Sequence, residues 1–268
     1  MTVTFFSDMA STRTDLPQIK TDELIPDNGN GVDLVDLSHP FSLRTNSISN
    51  GAPVYNLRND GTYAGLLIPS TVQASLNNGG LQLNTETAPN YAGLVIAGSP
   101  LSDIFADQQF IACAYLDIPD ENNFPTSNTR IFSDSTNITF GAITVMLGRA
   151  ANNNPQIVGQ RLTGSGGATQ QRIIGLPTGA YGKKAQVAVY RTATEWGFTI
   201  IFDGGSRLNS TTAAGNLCTY DWSGRDLLIG LCANIWKAKV YRGFVENLKV
   251  TKRDPISVLN QDWFDFIG

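Results

Sequence analysis

Alternation of apolar and polar positions is sharpest between Lys184 and Asp254. KAQVAVYRT (184–192) is followed after a short polar interval by WGFTIIFDGG (196–205). In the second run Trp196, Phe198, Ile200 and Phe202 fall on one face, and Gly197, Thr199 and Asp203 fall largely on the other. Period-two alternation of aromatic and β-branched residues predicts half-buried strands. The short interval makes the pair a hairpin, and Asp203-Gly204-Gly205 ends its second strand with turn residues. RDLLIGLCANI (225–235) and KAKVYRGFVENLKVTKRDP (237–255) predict two more strands of the same character.

Upstream, from about Phe41, short apolar runs alternate with turn signals. Asn50-Gly51 and Asp60-Gly61 bracket Val54-Tyr55-Asn56-Leu57. Asn77-Asn78-Gly79-Gly80 precedes LQLNT. YAGLVIAG and QQFIACAYLDIP predict mostly buried strands, the second ended by Pro119. TRIFSDS, ITFGAITVMLGRA, IVGQRLTG and QRIIG continue the series. Turns every eight to twelve residues are the pattern of a β-sandwich.

The two ends of the chain differ from this middle. Residues 1–40 carry many acids and little periodicity, and predict an N-terminal arm, partly extended. Such an arm either wraps its own domain or anchors the protein to a neighbour. At the other end, Asp254 before Pro255 is a helix start signal. Ile256, Leu259, Trp263 and Phe266 follow at helical spacing, which predicts an amphipathic helix over 254–268. The sandwich then occupies 41–253.

The order of parts resembles the laminin-G or concanavalin A-like jelly roll. There, a hairpin ending in Y/F-x-D-G precedes an LxIG strand and then FxGxIxxLxVxxR. The matching residues are Phe202-Asp203-Gly204, Leu228-Ile229-Gly230 and the run from Arg242 to Val250. The match covers roughly the last third of the chain, and its residues are architectural. It implies an all-β fold: an antiparallel two-sheet jelly-roll sandwich with an extended N-terminal arm and a short C-terminal helix. Together with the closing segment VENLKVTKRDPISVLNQDWFDF, it also resembles virion proteins of tailed bacteriophages, in tail fibres, adhesins and capsid-attached modules. That resemblance implies a structural protein made in the host cytoplasm and placed on the virion. Its expected partners are other virion proteins, further copies of itself as a homo-oligomer, and host-surface glycans.

Composition narrows the function classes. The 268 residues are 41% hydrophobic and only 16% charged, with a net charge of −4. That balance suits many short strands and argues against nucleic acid or anionic membrane as partners, which need clustered Lys and Arg. No stretch approaches the roughly 18 apolar residues of a membrane span, and the first residues do not read as a secretory leader. Three cysteines, Cys113, Cys218 and Cys232, show no metal spacing. Cys113 and Cys232 lie in apolar runs and are expected as buried free thiols, as in a reducing compartment.

No catalytic constellation emerges. The one histidine, His39, sits in Asp36-Leu37-Ser38-His39-Pro40. Triad members meet from separate elements, so their adjacency here predicts a loop histidine. A retaining glucanase would need acids alternating on one strand. The nearest cluster, Asp117-Ile118-Pro119-Asp120-Glu121, is broken by proline. Gly164–Gly167 and Gly179–Lys184 fit neither phosphate-loop pattern. Asp27–Asp33 lacks the ligand order of an EF-hand loop and predicts an Asx-rich turn. The chain is therefore expected to be no enzyme and to need no cofactor or metal. Aromatic residues near acids and amides remain as candidates for stacking on sugar rings. Tyr220, Asp221, Trp222 and Arg225 form the leading candidate loop, with Trp236 beside it; core packing is the competing role for these aromatics.

Overall fold

The computed structural model describes residues 22–26, 30–39, 41–43, 48–57, 62–84, 91–96, 99–134, 142–163, 169–232 and 237–267. Among them the chain forms β1 (Val32–Asp36), β2 (Pro53–Tyr55), β3 (Thr62–Leu67), β4 (Gln73–Asn77), β5 (Gly80–Asn84) and β6 (Tyr91–Ile96). A short helix α1 (Ser99–Phe105) leads to β7 (Phe110–Asp117), β8 (Thr129–Ser133), β9 (Ile143–Arg149), β10 (Pro155–Leu162) and β11 (Thr169–Gly175). Then come β12 (Lys184–Arg191), β13 (Glu195–Phe202), β14 (Leu208–Ala213), β15 (Leu227–Cys232) and β16 (Ala238–Asn247). The chain closes with α2 (Leu248–Thr251) and α3 (Pro255–Ile267).

The strands make two antiparallel sheets, so the fold is an all-β sandwich of the lectin-like jelly-roll type. One sheet runs β14-β13-β12-β7-β16-β5-β4, and the other β11-β10-β9-β8-β15-β6-β3-β2. The predicted hairpin is β12–β13, with Ala185 opposite Phe202 and Arg191 opposite Trp196. β16 is the long central strand. One edge pairs with β7. Its other edge is shared end to end, by β5 along Ala238–Val240 and by β1 along Arg242–Glu246.

Alternation decides what each face of that first sheet buries. From β7, Phe110, Ala112, Ala114 and Leu116 join Val187, Val189, Phe198, Ile200 and residues of the second sheet in the inter-sheet core. The alternate residues Ile111, Cys113 and Tyr115 point outward, into a second core with Val32, Leu34, Phe244, Leu259 and Trp263. A strand buried on both sides needs a cover over its outer face. Here α3 and the segment carrying Leu24, Ile25 and β1 supply it. Tyr115 stacks on Trp263 at 6.0 Å. Each buried large side chain in this layer contributes roughly 1.5–3 kcal/mol.

The N-terminal region thus wraps its own domain over 22–26 and 30–36; residues 1–21 lie outside the described set. One expectation needs correction. LKVT, predicted to prolong the strand, is the helix α2. The Asn247 side chain accepts the backbone N–H groups of Lys249 and Val250, and Lys252 closes the turn in the left-handed conformation. The segment 62–77 carries no individual strand expectation but holds β3 and β4. At α3 the predicted start holds: Asp254 Oδ1 accepts the N–H of Ser257 at 2.8 Å. Among the described residues no helix is long and apolar enough to cross a membrane.

Candidate functional site

Between the end of β14 and the start of β15, residues 214–226 have no regular secondary structure, so their backbone groups need other partners. The sandwich supplies them. Arg161 on β10 donates to the carbonyl oxygens of Ala214 and Asn216. Arg191, ending β12, donates to the Gly215 carbonyl at 3.1 Å. Gln108 clamps Cys218 at both backbone groups, accepting its N–H at 2.8 Å and donating to its carbonyl at 2.7 Å. Ser102 of α1 donates to the Ser223 carbonyl at 2.7 Å.

Trp222 is the apolar anchor of this loop. It is 2% exposed and makes edge contacts with Phe105 and Phe110 at 5.4 and 6.1 Å. The expected surface contact through Trp222 is therefore corrected to a core role: the indole cannot reach a ligand because these rings enclose it. Trp196 and Tyr241 are buried too, and Trp236 lies outside the described residues.

What the pinned loop presents is Leu217, Tyr220, Asp221 and Arg225. Leu217 and Tyr220 are 43% and 40% exposed. The Arg225 guanidinium lies over the Tyr220 ring at 4.7 Å and donates to its hydroxyl. Asp221 accepts the N–H and the hydroxyl of Ser223 at 3.0 and 2.7 Å. Those two hydrogen bonds hold its carboxyl below the ordinary carboxylate range. Behind Arg225, at 3.9 Å, sits the fully buried side chain of Asp134. Burial pushes the Asp134 carboxyl up, and its Oδ2 has no hydrogen-bond partner. An aromatic face, a cation and acceptor oxygens on one edge, held still, is what a polar ring-shaped ligand requires.

The other sequence candidates have local duties. His39 Nδ1 accepts the N–H of Phe41 and its ring stacks on Phe41. Ser38 donates to Asp36, not to the histidine. Asp117 accepts the Tyr241 hydroxyl at 2.9 Å, and Asp120 caps the turn at Asn122 and Asn123. Asn30, Gly31 and Asp33 of the Asx-rich turn help line a groove of about 420 Å³ with Asp103 and Asn247. Asp27, Asn28 and Gly29, and the loop Gly164–Gly167, lie outside the described residues.

The arrangement missed by sequence reasoning is a buried polar hub beneath α3. Arg242 reaches Asp22 at 2.7 Å, Asp36 at 3.1 Å and Asp262 at 2.5 Å. Tyr115 donates to Asp262, and Gln186 and Arg207 extend the network to the Leu259 carbonyl. A register shift between Val240 and Arg242 accompanies this outward turn of Arg242. It was invisible because Asp22, Asp36 and Asp262 are scattered along the chain.

The sequence matches no family model and no curated protein. Solved structures resemble it in architecture. The sialidase of Trypanosoma rangeli aligns over 88% of this chain and 32% of its own, with 13% identity and a TM-score of 0.50. Peanut lectin aligns over 75% and 94% at 11% identity, TM-score 0.45. The CBM2 module of the evolved Dit of Lactobacillus casei phage J-1 aligns over 81% and 90% at 15%, TM-score 0.44. At these identities the likeness is one of fold.

Proposed function

We propose that this chain is a non-enzymatic, glycan-binding β-sandwich displayed on a bacteriophage particle, in a tail fibre, an adhesin or a capsid decoration. The observation that carries the binding reading is the Tyr220–Asp221–Arg225 edge, presented on an irregular loop whose backbone is clamped from behind by Arg161, Arg191 and Gln108. A loop fixed beforehand loses little freedom when a sugar docks. The virion reading rests on the resemblance of the closing segment to phage structural modules. Phe264 and Ile267, 69% and 47% exposed on α3, suit contact with a neighbouring virion protein or a second copy. Many copies on one particle multiply a modest single-site affinity.

The test is a glycan array with the purified chain, repeated with Tyr220→Ala and Arg225→Ala. The proposal expects binding to host-surface polysaccharide, weakened at least about tenfold in each variant as roughly 1.4 kcal/mol of contact is lost, with unchanged thermal unfolding in Tyr220→Ala. Binding that neither variant alters would move the site elsewhere. Release of reducing sugar from the polysaccharide would replace the lectin reading with an enzymatic one, and immunogold labelling of particles tests the location.

A further inference from the structure

Three arginines gather around one tryptophan between the sheets. Arg161 on β10 and Arg172 on β11 set their guanidinium carbons 5.6 and 5.8 Å from the centre of the Trp196 ring. Arg191 is the cross-strand partner of Trp196. Arg161, Arg191 and Trp196 are 4%, 5% and 0% exposed, and Arg172 is half-buried. Among the described residues none of the three arginines forms an ion pair. Elsewhere the chain commits three carboxylates to Arg242 alone, so acids were available to it.

Holding the loop explains only part of this arrangement. The Nη groups of Arg161 and Arg191 serve carbonyls of the 214–226 loop. Arg191 Nη1 also donates to the carbonyls of Gln108 and Asp107, and Gln170 accepts from Arg161 at 3.0 and 3.1 Å. Arg172 donates only to the carbonyl of Gln171, at 3.4 Å. Three buried donors have no acceptor: Nε of Arg172, Nε of Arg191 and Nε1 of Trp196. Unpaired buried donors and cations without counter-charge are both costly. Burial, reinforced by the nearby Arg191, pulls the Arg161 guanidinium down to about 10. A group that only accepts hydrogen bonds and carries negative charge would answer every one of these features.

We infer that Arg172, Arg191 and Trp196, backed by Arg161, form a binding site for an oxyanion: a carboxylate, sulfate or phosphate group. Entry is from the β11 side, where Arg172 is half-buried and Thr169 and Gln171 are exposed. The site stands on its own donors, whatever the Tyr220 loop binds. Two sources share this chemistry, a free inorganic anion and the acid group of a charged sugar.

Calorimetric titration of the full chain with sodium sulfate, glucuronate and glucose, at ionic strength held constant with sodium chloride, decides the matter. Sulfate is expected to bind saturably and to raise the unfolding midpoint as ligand linkage requires. Arg172→Gln should weaken that binding at least tenfold. Lys237→Gln, at an exposed lysine, should leave it unchanged, as should Tyr220→Ala. Glucuronate competing with sulfate while glucose does not would identify a sugar acid as the ligand. Sulfate binding without glucuronate competition would keep the site and overturn the sugar source. Absence of saturable binding by sulfate and glucuronate alike, or equal affinity in Arg172→Gln, would overturn the site.

Discussion

Arg242 shows how much of this fold depends on one side chain. Its guanidinium is the shared partner of carboxylates from the N-terminal segment, β1 and α3. Removing one partner of a buried ion pair typically costs about 3–5 kcal/mol, because the charges left behind stay desolvated. Arg242→Ala should lose about that much in urea unfolding. Asp262 behaves differently. Burial raises its carboxyl above the ordinary range, only partly opposed by the shared Arg242. A carboxyl with a raised folded pKa favours the fold at low pH, and that contribution is lost as pH climbs through the folded value. The stability of Asp262→Asn relative to the natural chain should therefore rise with pH above the ordinary carboxylate range of about 4; a difference that stays flat would refute the assignment. Burial also pushes the Cys113 thiol well up and the Cys218 thiol up. Neither is expected to react with a thiol reagent until the protein unfolds.

At the scale of elements, the hairpin β12–β13 and the buried strands β6, β7 and β9 were legible because apolar side chains mark their faces, and turn residues or proline mark ends such as Asp203-Gly204-Gly205 and Pro119. β14 was not. Its sequence LNSTTA is polar on an edge of the sheet, with no residue fully buried, so pattern gave no signal. The α2 helix was missed because VENLKVTK alternates like a strand, and the Asn247 cap overrides that pattern. In the candidate loop, Tyr220 and Asp221 were placed at the surface correctly, while Trp222 was not, since its pocket comes from Phe105 and Phe110 more than a hundred positions away. Gln108 is the loop's clamp, and Gln108→Ala should cost about 1–3 kcal/mol by stranding both backbone groups of Cys218. The same change should weaken glycan binding more than Tyr220→Phe does, measured on the same array. Between β6 and β15, Gly93 faces Gly230 in register, with φ of 152° and 139°. A methyl group at Gly230 would lie 2.6 Å from the Ala92 carbonyl oxygen. Gly230→Ala should cost roughly 2–6 kcal/mol, the combined range of overpacking and backbone strain.

At the scale of the whole molecule, the two-sheet architecture was readable from the spacing of strands and turns, and the second core was not. Nothing in a linear pattern says that Ile111, Cys113 and Tyr115 meet Trp263, because a continuous apolar strand specifies burial on both faces without naming the cover. The helix pattern was equally silent on Asp262, a polar residue that turns inward to Arg242. Truncation after Arg253 should therefore strip the outer face of the sheet, leaving a chain that unfolds at lower temperature and binds a hydrophobic dye.

The pairing of β1 with β16 also has a consequence for biosynthesis. Among the described residues the one strand that pairs with β1 is the last one. While the ribosome is still making the middle of the protein, β1 has its backbone bonds to Ser42, Asn56 and Leu57 but lacks its strand partner, and closure of such distant pairs is intrinsically slow. Completion of the sandwich must therefore wait until β16 has left the ribosome. In a refolding experiment, protection of the Asp33 and Val35 amides, which the bonds from Leu34 to Asn56 and from Asp36 to Ser42 do not serve, should be the last event to finish.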